Sequence, residues 1–206
     1  MLRRIVNASS FIFYKQNNVS KPKILDFIFC ETHFPFKIVH LNKTGTMRTR
    51  EIKIAYQEFD RLEELSSSDQ KLVEAARHAS KNAYAPYSHF HVGAALLLEN
   101  GEIIQGNNQE NADFTDGLCA ERVALFYAHA KFPNVPVVAI AVSAKNHNGP
   151  VKEPAQPCGS CRQVMVETEV RFQKPIRIIL DGRECIHVLD GADSLLPLAF
   201  KPKALG

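Results

Sequence analysis

The chain has 206 residues, of which 45% are hydrophobic, and a formal charge of +3, enough apolar material for one packed domain of ordinary size. No apolar run approaches the roughly 18 residues a bilayer span requires, so no membrane partner is expected. Five cysteines, three of them at metal-ligand spacing, argue against a disulfide framework and for a reducing compartment, with the cytoplasm as the expected location.

The charge is unevenly placed. Residues 1–46 hold seven Lys/Arg against Asp26 and Glu31, whereas 47–206 hold 18 basic and 20 acidic residues. The larger part therefore has no basic footprint for nucleic acid, which disfavours a polynucleotide partner. Residues 1–46 mix Phe, Ile, Lys and Asn without sustained period. They read as an N-terminal extension with three open explanations: sequence translated upstream of a true start at Met47, an organellar presequence carrying Arg3 and Arg4, or a weakly ordered segment. Residues 47–206 read as the functional domain.

From Met47 the elements follow in order. Ile52, Ile54 and Tyr56 alternate, so Glu51 to Tyr56 is expected as a short strand. Ser67 or Ser68 can cap a helix reaching about Asn82, with Leu72, Val73, Ala76 and Ala79 as its apolar stripe. Phe90 to Leu98 reads as a buried strand, and Asn100-Gly101 as a hairpin leading into Glu102 to Asn107. A helix is expected from Cys119 to Lys131, a covered strand from Val135 to Ala144, and a second helix from Cys158 to Glu169. Pro175 to Leu180 and Cys185 to Leu189 are two further strands around an Asp181-Gly182 turn, and Ala192 to Leu196 a last helical turn. Strands alternating with helices imply an α/β layered domain with a mixed sheet.

Two short segments carry the chemistry: Cys119-Ala120-Glu121 and Pro157-Cys158-Gly159-Ser160-Cys161-Arg162-Gln163. Three thiolates can hold one zinc ion and leave its fourth tetrahedral position to water, the pattern of a catalytic zinc. Glu121, two residues past the first ligand, then offers proton transfer beside that water. Cys158 and Cys161 stand three apart, so both sulfurs lie on one face of a helix start, where backbone N–H groups favour thiolate. Arg122 can donate hydrogen bonds to sulfur from behind the ligands. A structural zinc site normally closes with four ligands; only Cys30 and Cys185 remain, and neither shows a partner at ligand spacing. Three cysteines with a non-ligand Glu form the signature of the nucleobase deaminases.

Asn108 and Glu110, two apart, point to one side if the preceding strand continues, and an amide beside a carboxylate suits sugar hydroxyls; a polar strand end facing solvent is the plainer alternative. Phe90 can stack on a flat ring or simply belong to the core.

In their order, Tyr84 to Ala95, Gly106 to Ala112, Cys119 to Phe126 and Pro157 to Gln163 resemble the cytidine deaminases of the short, homotetrameric, three-cysteine zinc type, over about Ser67 to Phe200. The resemblance implies a three-layer α/β/α fold with a mixed sheet of about five strands. It implies hydrolytic deamination of cytidine and 2′-deoxycytidine in pyrimidine salvage, with one zinc per subunit. Cys119, Cys158 and Cys161 would be the ligands and Glu121 the proton shuttle. Asn108 and Glu110 would hold the ribose, Phe90 would pack on the base, and the Ala120 backbone would contact it. Arg122 matches the family position that bonds the thiolates. A homotetramer with shared active sites is implied, with Ala112, Phe114 and Phe200 as candidates to reach a neighbour's substrate.

The chain departs from its relatives where Phe114 replaces the usual Tyr, where His91 replaces a common Pro, and in a longer connection after Ala144. Blasticidin deaminases, deoxycytidylate deaminases and an inactive zinc scaffold are the rival readings. The Asn108–Asn111 motif favours a nucleoside over the first, the lack of a phosphate-cradling loop disfavours the second, and Glu121 argues against the third.

Overall fold

The computed structural model describes residues 47–205 and, before them, only the backbone of two short strands. Those strands, β1 (Arg4–Asn7) and β2 (Ser10–Phe13), pair antiparallel as a small sheet of their own. The reading of residues 1–46 as an extension otherwise falls outside the described residues. The chain divides into units Met1–Arg48 and Thr49–Gly206.

The larger unit runs β3 (Gln57–Phe59), α1 (Ser67–Ala79), β4 (His91–Leu98), β5 (Ile103–Asn107), α2 (Ala120–Lys131), β6 (Val137–Asn146), β7 (Gly149–Pro150), α3 (Gly159–Phe172), β8 (Arg177–Asp181) and β9 (Ile186–Asp190). Its sheet has the order β3-β9-β8-β6-β4-β5, with β7 paired to the end of β6. Only β6 and β8 run parallel; the other pairs are antiparallel.

The expected α/β fold with a mixed sheet is present, but the sheet has seven strands rather than about five. The strand with no counterpart in the sequence reading is β7, whose two residues are too few to leave a periodicity; only pairing with β6 makes it a strand. The strand expected over Glu51 to Tyr56 is displaced to Gln57–Phe59. Ile52, Ile54 and Tyr56 stay exposed, whereas Phe59 packs against the core beneath α1 and so sets which residues lie along β9.

Alternation along the strands builds two cores. Ala94, Leu96, Leu98, Ile140, Val142, Ile178 and Leu180 face α2 and α3, meeting Ala124, Leu125, Met165 and Val166. Ala95, Ala139, Ala141 and Ile179 face the other way, against Leu72, Val73 and Ala76 of α1. One helix thus covers one side of the sheet and two cover the other. Each fully buried Leu, Ile or Val contributes about 1.5–3 kcal/mol.

Local chemistry sets the helix positions. Ser66, rather than Ser67 or Ser68, caps α1, its Oγ accepting from the Asp69 N–H at 3.1 Å. Arg77 donates from Nε and Nη2 to the buried Asp181 carboxylate at 2.8 and 2.7 Å, and the Ser143 hydroxyl donates to it at 2.7 Å. That cluster ties α1 to β8 and β6. Gly106 lets α2 lie hard on β5: a Cβ there would sit 2.6 Å from the Ala124 nitrogen and 2.7 Å from the Ala120 oxygen. The start of α2, with its site residues, is therefore seated directly on the sheet.

Candidate functional site

Cys119 is the N-cap of α2 and Cys158 the N-cap of α3, both with extended backbone. Cys161 lies in the first turn of α3. Two helix starts therefore converge, and their free N–H groups and dipoles favour negative charge on sulfur. The Cys119 and Cys158 sulfurs are 3.7 Å apart, and the Cys158 thiol donates to Cys161 at 3.4 Å. All three sulfurs lie within 4.8 Å of one another, and among the described residues no fourth His, Cys, Asp or Glu joins them.

These distances fit zinc. Bonds of 2.3 Å at tetrahedral angles place sulfurs about 3.8 Å apart, close to the spacing found. Three donors leave one position open, as the sequence pattern implies. His91, on β4, is not part of the group.

Cys119 is pulled down to about 5, first by the hydrogen bond from Cys161 and then, against the cost of burial, by Arg122 and Cys158. Cys161 is pushed up, because its proton is the one Cys119 uses and because it is buried beside Glu121. Arg122 Nη2 donates to the Cys119 sulfur at 3.8 Å. Glu121, in the first turn of α2, is buried; burial pushes its carboxyl up, with the charge of Cys119 adding to the shift, while Cys161 and Arg122 pull back. A carboxyl held towards its protonated form beside the open position can both take and give a proton.

A second layer of residues lies beside the first helix start. Gln109 pairs with Leu118 through two 2.9 Å backbone hydrogen bonds, so the residue before Cys119 is stitched to the Asn108–Glu110 segment. Tyr84 joins the same segment through Tyr84 N–H to Asn108 O at 3.0 Å and Glu110 N–H to Tyr84 O at 2.9 Å. The Asn108 side chain accepts from Val92 N–H at 2.7 Å and donates to Phe90 O at 2.9 Å. Glu110 accepts from the Ser88 hydroxyl and from the Tyr87 N–H at 2.9 Å; these bonds, the hydroxyl first, hold its carboxyl below the usual carboxylate range. Both polar side chains thus fasten the Tyr87–Val92 loop that carries Phe90.

Ala120 is buried at the start of α2. Ala112, Phe114 and Phe200 are exposed, Phe114 at 79%, its ring edge-on to that of Tyr87 with centroids 6.2 Å apart. Sequence reasoning missed three supports. Ser88 is the anchor for Glu110. Arg162 donates to Pro157 O and Leu195 O, both at 2.7 Å, and Gln163 donates to Phe200 O at 2.8 Å. Their adjacency to Cys161 was the available signal; their partners come from the far end of the chain.

Comparison with known proteins agrees with this geometry. A family model described as the cytidine and deoxycytidylate deaminase zinc-binding region matches residues 66–173. The chain is 50% identical over 98 residues to a cytidine deaminase of Halalkalibacterium halodurans, covering 48% of this chain and 70% of that relative. It is 43% identical over 102 residues to one of Sporosarcina psychrophila, covering 48% and 68%. Among solved structures, a cytidine deaminase from Burkholderia pseudomallei superposes with a TM-score of 0.56 at 40% identity, covering 66% of this chain and 100% of that one.

Proposed function

We propose that this chain, which belongs to the cytidine and deoxycytidylate deaminase family, acts on free cytidine and 2′-deoxycytidine, giving uridine and 2′-deoxyuridine with release of ammonia. The observation that carries the reading is the buried Glu121 carboxyl beside three sulfurs that leave one tetrahedral position open. The Asn108–Glu110 segment stitched next to Cys119 supports a nucleoside rather than a bare base.

Cys119, Cys158 and Cys161 would hold the zinc, which when bound supplies Lewis acidity that makes water nucleophilic near neutral pH. The residues then divide the work. Glu121 takes the proton of the attacking water and delivers it to the ring nitrogen next to the amino-bearing carbon. As that carbon becomes tetrahedral, Glu121 carries the second proton to the departing amine. Arg122 offsets charge on Cys119 as it changes through the cycle. Phe90 covers the pyrimidine face, the Ala120 backbone meets the base edge, and Asn108 and Glu110 take the ribose hydroxyls with the lone pairs and N–H not used on the loop.

A homotetramer is part of the same proposal. Exposed Ala112, Phe114 and Phe200 are the residues that would reach a neighbour's substrate. A role in pyrimidine salvage in the cytoplasm follows from a small-nucleoside substrate. Among the described residues no helix is long and apolar enough to cross a membrane. Residues 47–206 would form the deaminase domain.

The deciding experiment follows ultraviolet absorbance as zinc-loaded protein meets cytidine, deoxycytidine, cytidine monophosphate and blasticidin S in parallel. Rapid loss of the first two substrates alone is expected. Preference for the monophosphate or for blasticidin S would replace the nucleoside reading. Light scattering should return the mass of four chains; a monomer would remove the shared-site proposal.

A further inference from the structure

On the sheet edge formed by β3 and β9, three metal-binding side chains meet that the deaminase site does not use. Glu58 and His187 are directly opposite in the β3–β9 ladder. Cys185 stands two residues before His187, so both side chains leave the strand on the same side. Cross-strand neighbours at such positions have Cβ atoms only about 5 Å apart. The result is Glu58 Oε2 at 2.9 Å and Cys185 Sγ at 3.6 Å from the same atom, His187 Nε2. A fourth donor can swing in from the connection after β7: Glu153 Oε2 lies 3.7 Å from Cys185 Sγ, outside the group of Glu58, Cys185 and His187 whose ligand atoms all lie within 4.8 Å of one another.

Hydrogen bonds alone can join these groups: the Cys185 thiol donates to Glu153 at 3.7 Å, which leaves His187 Nε2–H for Glu58 at 2.9 Å. The Cys185 sulfur and the Glu58 carboxylate nevertheless face the same imidazole nitrogen, and all three ligand atoms lie within 4.8 Å of one another, close enough for one cation. Among the described residues Glu58 has no Lys or Arg partner, and Glu153 has no ion-pair partner. Burial, then the charges of Glu153 and Glu58, push the Cys185 thiol up, a repulsion that a cation would reverse.

We propose that Glu58, Cys185 and His187, with Glu153 closing the set, form a second divalent-metal site for zinc or a similar borderline-soft ion. Mixed sulfur, nitrogen and oxygen donors suit zinc over magnesium or calcium. Tetrahedral zinc with ordinary bond lengths separates S from N by about 3.6 Å, S from O by about 3.6 Å and N from O by about 3.4 Å. The first two match the Cys185–His187 and Cys185–Glu153 spacings. The Glu58–His187 contact must open by about 0.5 Å for an ion to enter between them, a movement an exposed glutamate makes easily. Binding releases the Cys185 thiol proton to solvent, and His187 binds as neutral imidazole through Nε2. The site pins the edge strand β3 and the connection carrying Glu153 to β9, so its role is to staple the sheet edge rather than to catalyse.

The test counts metal on the full chain after equilibration with excess zinc and desalting. Wild type should hold two equivalents; Cys185→Ser and His187→Ala should each hold one and keep turnover of cytidine within about twofold of wild type. Loading with cobalt should add a single-thiolate charge-transfer band that Cys185→Ser removes. Should either variant fold poorly, Glu58→Gln on the exposed edge should weaken the second equivalent about tenfold or more in competition with a chelator. One equivalent in wild type, or two that survive all three substitutions undiminished, overturns the proposal.

Discussion

Asn108 donates from Nδ2 to the Phe90 carbonyl at 2.9 Å and accepts at Oδ1 from the Val92 N–H at 2.7 Å. One amide therefore holds the loop that carries the aromatic expected against the base, while standing where the sugar is expected. Under the proposed nucleoside reading, positioning and recognition are joined in a single side chain.

Asn108→Ala removes both bonds and leaves a backbone donor and acceptor without a partner. A stability loss of about 1–3 kcal/mol is expected, together with a rise in KM larger than the fall in kcat. Urea unfolding and steady-state kinetics read the two effects. A variant with unchanged stability and KM would show that the loop is held by other means.

Glu121→Gln keeps the size of the side chain but cannot take the proton of the attacking water. Turnover should fall by about 10²–10⁴-fold, with the zinc content of the three-cysteine centre unchanged. Metal analysis beside a single-turnover assay checks both halves; retention of most activity would sink the acid–base role.

Arg77 and Asp181 form the pair that fastens α1 to the sheet. Arg77→Met leaves a buried carboxylate with the Ser143 hydroxyl as its remaining side-chain donor, and a loss of about 1–3 kcal/mol is expected. Arg77→Met together with Asp181→Asn should recover part of it, because the uncompensated charge is gone. Thermal unfolding of the two variants measures the difference.

His129, on α2, is held below its ordinary value near 6.5, first by burial and then by Arg171. Its Nε2 is buried without a hydrogen-bond partner and its ring packs 5.9 Å from that of Phe172. A histidine with a lowered folded value stays neutral while the unfolded chain takes up a proton. The linked stability is therefore present above pH 6.5 and is lost as pH falls through 6.5 towards the folded value. Unfolding midpoints at pH 7.5 and 5.5 should differ less in His129→Phe than in wild type. Equal differences would place the pH dependence elsewhere.

The sequence by itself placed each half of the candidate metal centre, because each half is local. Cys119 and Glu121 are two residues apart, Cys158 and Cys161 three, and each pair sits at a helix start that residue pattern alone could place. The main strands and the buried stripe of α1, Leu72, Val73, Ala76 and Ala79, were legible for the same reason: apolar periodicity states which side of an element is buried. Periodicity does not state which element lies alongside. Only the tertiary structure brought Cys119 to 3.7 Å from Cys158 across 39 residues, set Arg77 on Asp181 across 104, and aligned Glu58 with His187 across 129. It also turned Glu110 onto Ser88, and made a strand of β7, which has too few residues to announce itself. Those outcomes depend on sheet order and strand register, which the whole packed core selects and no short stretch of sequence encodes.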